Sequence, residues 1–234
     1  MTNEILLFIS VAVIFSLLII TFRLLGKYGL IAWVGIATVL AEIAVTKNVH
    51  MFGMTNTLGN VLFASNFLAT DVITEVYGEK YAKKAVYTGI WCVIIYLIAT
   101  QLMLAFIPDS TDISDAAMRQ LFSITPRVCI ASVTMFFLSN LADVKLYDFL
   151  RRKTNGKYMW LRNNLCTIIC NCGENFLFAT AAFLGVYSFP VIISIALGGS
   201  IIETIIALCD TPFLYLARHI GVKRKIGLLA EGVA

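Results

Sequence analysis

An all-α integral membrane protein is the fold class this sequence predicts, and three observations predict it. Apolar residues make up 59% of the 234 positions and charged residues only 14%, with a mean hydropathy of +0.86. A water-facing surface needs more charge than that. The apolar residues gather into seven runs, each near the ~20 residues a helix needs to cross a bilayer. No run shows the even alternation of a barrel strand, and lipid tolerates only helices and closed barrels.

The first run, about 5–22, has no basic stretch ahead of it and no small-residue cleavage site after it, so it reads as a retained span and not a signal peptide. The second, about 29–46, follows Arg23 and Lys27; the third, about 57–77, precedes Lys80, Lys83 and Lys84; the fourth is about 85–107. An acidic loop, Pro108–Thr125, carries Asp109, Asp112 and Asp115. Its Asp112–Phe122 pattern suits either a short amphipathic helix or an ordinary solvated connection, and the connection is the expectation. The last three runs are about 127–149, 164–187 and 190–217. With four prolines and no Ser/Gly/Pro-rich tract, residues 1–234 read as one transmembrane domain.

Seven spans place all the lysines and arginines on one side except Lys47, Arg119, Arg127 and Lys145, of 18 in total. The excess of basic residues in cytoplasmic loops then predicts an external N-terminus and a cytoplasmic C-terminus in the cell membrane. That asymmetry also accounts for the net charge of +4, so no nucleic-acid partner is expected.

Six cysteines, including the bunched Cys166, Cys170 and Cys172, fall within apolar runs without a paired CxxC module. They read as small packing residues before metal ligands. No Walker loop, GxSxG or HExxH occurs, so neither an enzyme nor a cofactor is expected.

What sets the chain apart is polarity inside the runs: Asp71, Glu75, Asn140, Asp143, Asn171, Glu174, Glu203 and Asp210. An ionisable group at the bilayer centre costs a few kcal/mol, so such residues mark pathways or binding sites. Asp71 and Glu75 are i,i+4, Asn140 and Asp143 i,i+3, and Glu203 and Asp210 i,i+7; Asn171, Glu174 and Asn175 share about one turn. Each set lies on one helix face. Four polar stripes are expected to turn toward a shared cavity between runs three, five, six and seven. For Asp71, Glu75 and Asp143 a structural contact near a helix end stands beside the binding reading. Arg127 reads equally as an interface anchor or as a donor to a buried carboxylate.

A carboxylate accepts two parallel hydrogen bonds from an edge such as N1–H and 2-NH2 of a guanine-type base, and an Asn donates to its carbonyl. Phe136, Phe137, Phe176, Phe178 and Trp91 lie close enough in sequence for one or two to stack on a ring. The same acids also suit a cation- or proton-coupled carrier of another small solute.

The stretch Ser65-Asn-Phe-Leu-Ala-Thr-Asp71-Val-Ile-Thr-Glu75-Val-Tyr-Gly78 resembles the D-x-x-T-E-V-Y-G signature of the queuosine-precursor transporter family, within the vitamin uptake transporter group. Stretches from Arg127 through Asn140 and Asp143 to Leu150, from Trp160 to Glu174, and Asp210–Tyr215 are similar to the family as well. The resemblance spans about 45–217. It implies a six-helix core like the substrate-binding subunits of energy-coupling-factor importers, preceded here by an extra span. It also implies import of 7-deazaguanine bases or queuine for tRNA modification, with Asp71, Glu75, Arg127, Asn140, Asp143, Asn171, Glu174 and Glu203 as substrate-binding positions. At the Glu203 position, where the family's pattern often has lysine, an acid favours the amine of a cationic precursor such as queuine.

Overall fold

The computed structural model describes residues 2–122, 126–185 and 188–223, without the side chains of 48, 54–57, 126–129 and 223. Its elements are α1 (Asn3–Ala44), β1 (Asn48–Met51), β2 (Met54–Thr57), α2 (Asn60–Tyr77), α3 (Glu79–Ala105), α4 (Asp115–Phe122), α5 (Pro126–Lys153), α6 (Met159–Phe183) and α7 (Phe189–Lys223).

The two N-terminal runs form the two legs of α1. Gly26 breaks the helix at φ 61°, ψ −141°, and the chain doubles back so closely that a Cβ on Gly29 would sit 2.9 Å from the Thr21 carbonyl oxygen. The far ends of the legs meet across the β1–β2 hairpin. There Asn3 Nδ2 donates to the His50 carbonyl at 3.0 Å, and the Phe52 N–H donates to the Glu4 carboxylate at 3.2 Å. Side chains with a Cβ avoid the Gly26 conformation at a cost of ~1–3 kcal/mol. Gly26→Val is therefore expected to lower the thermal unfolding midpoint in detergent, while a valine at open Val13 replaced by leucine leaves it unmoved.

α2 is the central helix. It packs on α1, α3, α5 and α7, and nearly every residue from Asn60 to Glu75 is buried. This enclosure lets a helix with Asn66, Thr70, Asp71, Thr74 and Glu75 exist inside a membrane protein, because its neighbours face the lipid in its place. Those neighbours expose Leu17, Trp91, Ile95, Ile98, Ile169 and Leu208, among others. Among the described residues, α1, α3, α6 and α7 are long and apolar enough to cross a membrane; α2 is enclosed among its neighbours, while α5 packs on α2, α3 and α6 and leaves Ile130, Leu138 and Phe149 exposed.

The bundle has two distinct ends. At one, Gly26 lies near Tyr77, Gly221 near Val76, and Lys27 over the Tyr81 ring. This basic end also gathers Arg151, Arg152, Arg162 and Arg218. The other end carries the N-terminus and the hairpin.

The acidic loop departs from expectation, since its second half is a helix, α4. Asp112 Oδ1 accepts from the N–H groups of Ser114 at 2.7 Å and Asp115 at 3.3 Å, which satisfies donors at the helix start. Those bonds, with the Ser114 hydroxyl, hold the Asp112 carboxyl below the usual carboxylate range. Arg119 and Asp115, one turn apart, pair at 2.7 Å.

Candidate binding site

The polar stripes do converge, but into three levels stacked along α2, α6 and α7. Nearest the hairpin end is a cavity of about 160 Å³, lined by Asn60 and Phe63 of α2, Ser132 of α5, Glu174, Asn175 and Phe178 of α6, and Gly199 and Glu203 of α7, with Val45, Ala179 and Ile195. Asn175 Nδ2 donates to Glu203 at 2.6 Å, which tethers α6 to α7 and orients one carboxylate. Ser132 donates to Glu42 of α1 at 2.8 Å, and Glu42 stands within electrostatic reach of Glu174. Among the described residues, no lysine, arginine or histidine lines it. The cavity is therefore an acceptor-rich slot with two aromatic walls, suited to a small flat solute carrying N–H donors.

Gly199 belongs to this wall because of a close approach: a Cβ there would collide with the Asn175 side-chain oxygen. Gly199→Ala is expected to displace Asn175, release Glu203 and reduce uptake at least as much as Asn175→Ala does. Equal uptake by the glycine and alanine forms would count against a role for this wall.

One to two turns deeper lies a fully enclosed cluster. Asp71, Asn140 and Asp143 are 0% exposed, and Asn171 and Asp210 are 1% exposed. The carboxyl groups of Asp71, Asp143 and Asp210 lie within electrostatic reach of one another. Asn163 Nδ2 donates to Asp210 at 2.5 Å, and Asn66 Nδ2 to Thr38 at 3.1 Å.

At the basic end, Glu75 is the hub of an ion-pair network. Its carboxylate meets Arg162 in a very short contact, Arg218 Nε at 3.3 Å and Arg151 Nε at 3.6 Å, and accepts from Tyr147 at 3.4 Å. Arg162, 1% exposed, also lies 5.2 Å from the Tyr147 ring centre and donates to the Lys157 carbonyl. One carboxylate thus joins α2, α5, α6 and α7.

The eight candidate positions are therefore divided. Glu174 and Glu203 line the cavity; Asp71, Asn140, Asp143 and Asn171 form the enclosed cluster; Glu75 holds the arginines together. The Arg127 side chain lies outside the described residues. Of the candidate aromatics, Phe178 lines the cavity, whereas Phe136 is buried elsewhere and Trp91 is 63% exposed on the outer surface. Sequence reasoning passed over Glu42, Phe63, Asn66, Asn163, Thr167 and the counter-ion role of Arg162. A signal was present for several: Asn163, Thr167 and Asn171 recur every four residues on one face, and Glu42 interrupts an apolar run.

A polytopic helical bundle with an acceptor-lined cavity and a buried carboxyl cluster defines a membrane transporter of a small polar solute. A family model described as "Putative vitamin uptake transporter" matches residues 57–217. The chain is also 37% identical over 205 residues to a protein of Bacillus subtilis (strain 168) named "Probable queuosine precursor transporter", covering 87% of this chain and 90% of that protein. No solved structure gives a significant match. The chain belongs to the vitamin uptake transporter family, and it is a multi-pass membrane transporter and not an enzyme.

Proposed function

We propose that this protein imports queuosine precursors, queuine or related 7-deazaguanine bases, for tRNA modification. The cavity between α2, α5, α6 and α7 is the observation that carries the reading. Glu174 or Glu203 accepts from the N1–H and 2-NH2 edge, Asn175 orients the acid, and Phe63 and Phe178 flank the ring plane. Whichever of the two acids does not take that edge is left to face the amine of a cationic base such as queuine. The hairpin end faces outward and the basic end faces the cytoplasm, in keeping with the loop charges. In that orientation the cavity is loaded from outside while the Glu75 network keeps the inner side shut. The second leg of α1 together with α2, α3, α5, α6 and α7 makes up a six-helix core like that of energy-coupling-factor substrate subunits, and the outer helix faces contact lipid.

The deciding experiment is uptake in cells that lack precursor synthesis, with queuosine in tRNA as readout. Restoration by this chain supports the proposal; transport of another solute with no tRNA queuosine favours the cation- or proton-coupled carrier.

A further inference from the structure

We infer that the enclosed cluster of Asp71, Asp143 and Asp210 is a proton-binding site that couples uptake to inward proton movement. The inference rests on the proposed function for its solute but not for its proton.

Beyond the three acids, the cluster is defined by what its atoms lack. Both carboxylate oxygens of Asp71 and of Asp143, one of Asp210, and the side-chain oxygens of Asn66, Asn140, Asn163, Thr167 and Asn171 have no hydrogen-bond partner. The residues that carry them are 0 or 1% exposed. Apart from the Thr167 hydroxyl and the Asn171 amide, which also lacks a partner, every one of these atoms can only accept. A buried acceptor left unmade costs ~1–3 kcal/mol, and acceptors facing one another repel as well. An electropositive occupant is what the site calls for.

The atoms are sealed from solvent, so the occupant is small, and among the described residues no group of three His, Cys, Asp or Glu is arranged to hold a metal; a sodium ion on the same oxygens is the rival that pH and sodium gradients separate from a proton. A proton on Asp71 or Asp143 turns one acceptor into a donor, which can then be shared with the neighbouring carboxyl group. The titratable and charged groups within electrostatic reach of Asp71 or of its neighbours are Asp143 and Tyr147 of α5, Arg162, Cys166 and Cys170 of α6, Asp210 of α7 and Glu75 on α2 itself.

The location supplies the coupling. Asn171 lies one turn from the cavity residues Glu174 and Asn175, and Asp71 lies one turn from Glu75. The proton arrives from the cavity side and leaves on the cytoplasmic side, with no other bond made or broken. Its departure restores a negative charge beside the network, where it competes with Glu75 for Arg162 and loosens the inner closure.

The test uses the purified full chain in liposomes with the membrane potential clamped by valinomycin. Acid outside is expected to raise initial queuine uptake at least tenfold over symmetric pH, while a trapped dye reports acidification that depends on queuine. Asp143→Asn and Asp71→Asn are expected to lose both. Uptake driven by a sodium gradient with no pH effect, or indifferent to either gradient, overturns the inference; these readings need only the wild-type chain, should the variants not fold. Infrared difference spectra without queuine are expected to show a protonated-carboxyl C=O band that shrinks in Asp143→Asn. A band unchanged in a folded variant overturns the proton site. A titrating band in a chain that takes up no queuine sinks the proposed solute and supports the site.

Discussion

Glu75→Ala is expected to be the most destabilising single substitution in the chain, lowering unfolding free energy by ~3–5 kcal/mol. The reason lies in what remains. Arg162 is 1% exposed and its chief partner is the Glu75 carboxylate, so the alanine variant keeps a buried guanidinium without a counter-ion. Arg151 and Arg218 lose their partner as well, but both reach solvent and contribute little. Thermal unfolding in detergent measures the effect. Removing both charges of the buried pair, as in Glu75→Leu with Arg162→Met, is expected to recover most of the loss, since a well-packed apolar pair often matches a buried ion pair. A Glu75→Ala protein as stable as wild type would refute the network as a fastener of α2, α5, α6 and α7.

Glu174→Gln and Glu203→Gln are expected to have the largest effects on transport with the least on folding. Each exchange keeps the side-chain shape but gives up one carboxylate oxygen as an acceptor for the base edge. A charge-assisted pair of parallel bonds lost in this way is worth ~1.5–3 kcal/mol, equivalent to at least a tenfold fall in affinity. The tRNA queuosine level at limiting queuine reports it, alongside the amount of protein in the membrane. Glu203→Gln is expected to be the more damaging of the two, because Asn175 at 2.6 Å holds that carboxylate in place and a neutral amide there loses the charge-assisted bond. Full uptake by both variants, at normal abundance, removes these acids from the binding role.

The two outcomes separate residues that looked alike in the sequence. Asp71 and Glu75 share a helix face four residues apart, yet one sits among unpartnered oxygens and the other among three arginines. Helical spacing reports which side chains point the same way; it does not report which element lies opposite. Asp71 meets α5 and α7, while one turn further along α2 the start of α6 delivers Arg162. For the same reason Arg162 read as one more basic loop residue, because its burial depends on α6 starting beside the end of α2.

Other parts were legible for local reasons. The seven runs fall on the two legs of α1 and on α2, α3, α5, α6 and α7, of which α1, α3, α6 and α7 are long and apolar enough to cross a membrane, a demand that neighbours cannot supply. Their ends extend further at the basic side, as in α5 to Lys153 and α7 to Lys223; on α5 the exposed Arg152 and Lys153 are long cationic side chains that reach toward water. The reversal at Gly26 was legible as the break between the first two runs, where Arg23 and Lys27 interrupt the apolar residues; how closely the two legs abut was not, because a backbone angle changes no composition. The α4 helix is one of two readings of the Asp112–Phe122 pattern, and the sequence alone favours the solvated connection because the start of so short a helix depends on Asp112 accepting from the backbone.

The sequence by itself determined that this chain lives in a bilayer as helices, that its acids are too costly there to be idle, and which family it resembles. Only the tertiary structure decided that those acids serve in three separate places: a wall facing a cavity, a sealed cluster and a salt-linked closure. The physical reason is that burial cost belongs to each residue alone, whereas the partner that offsets it comes from another helix.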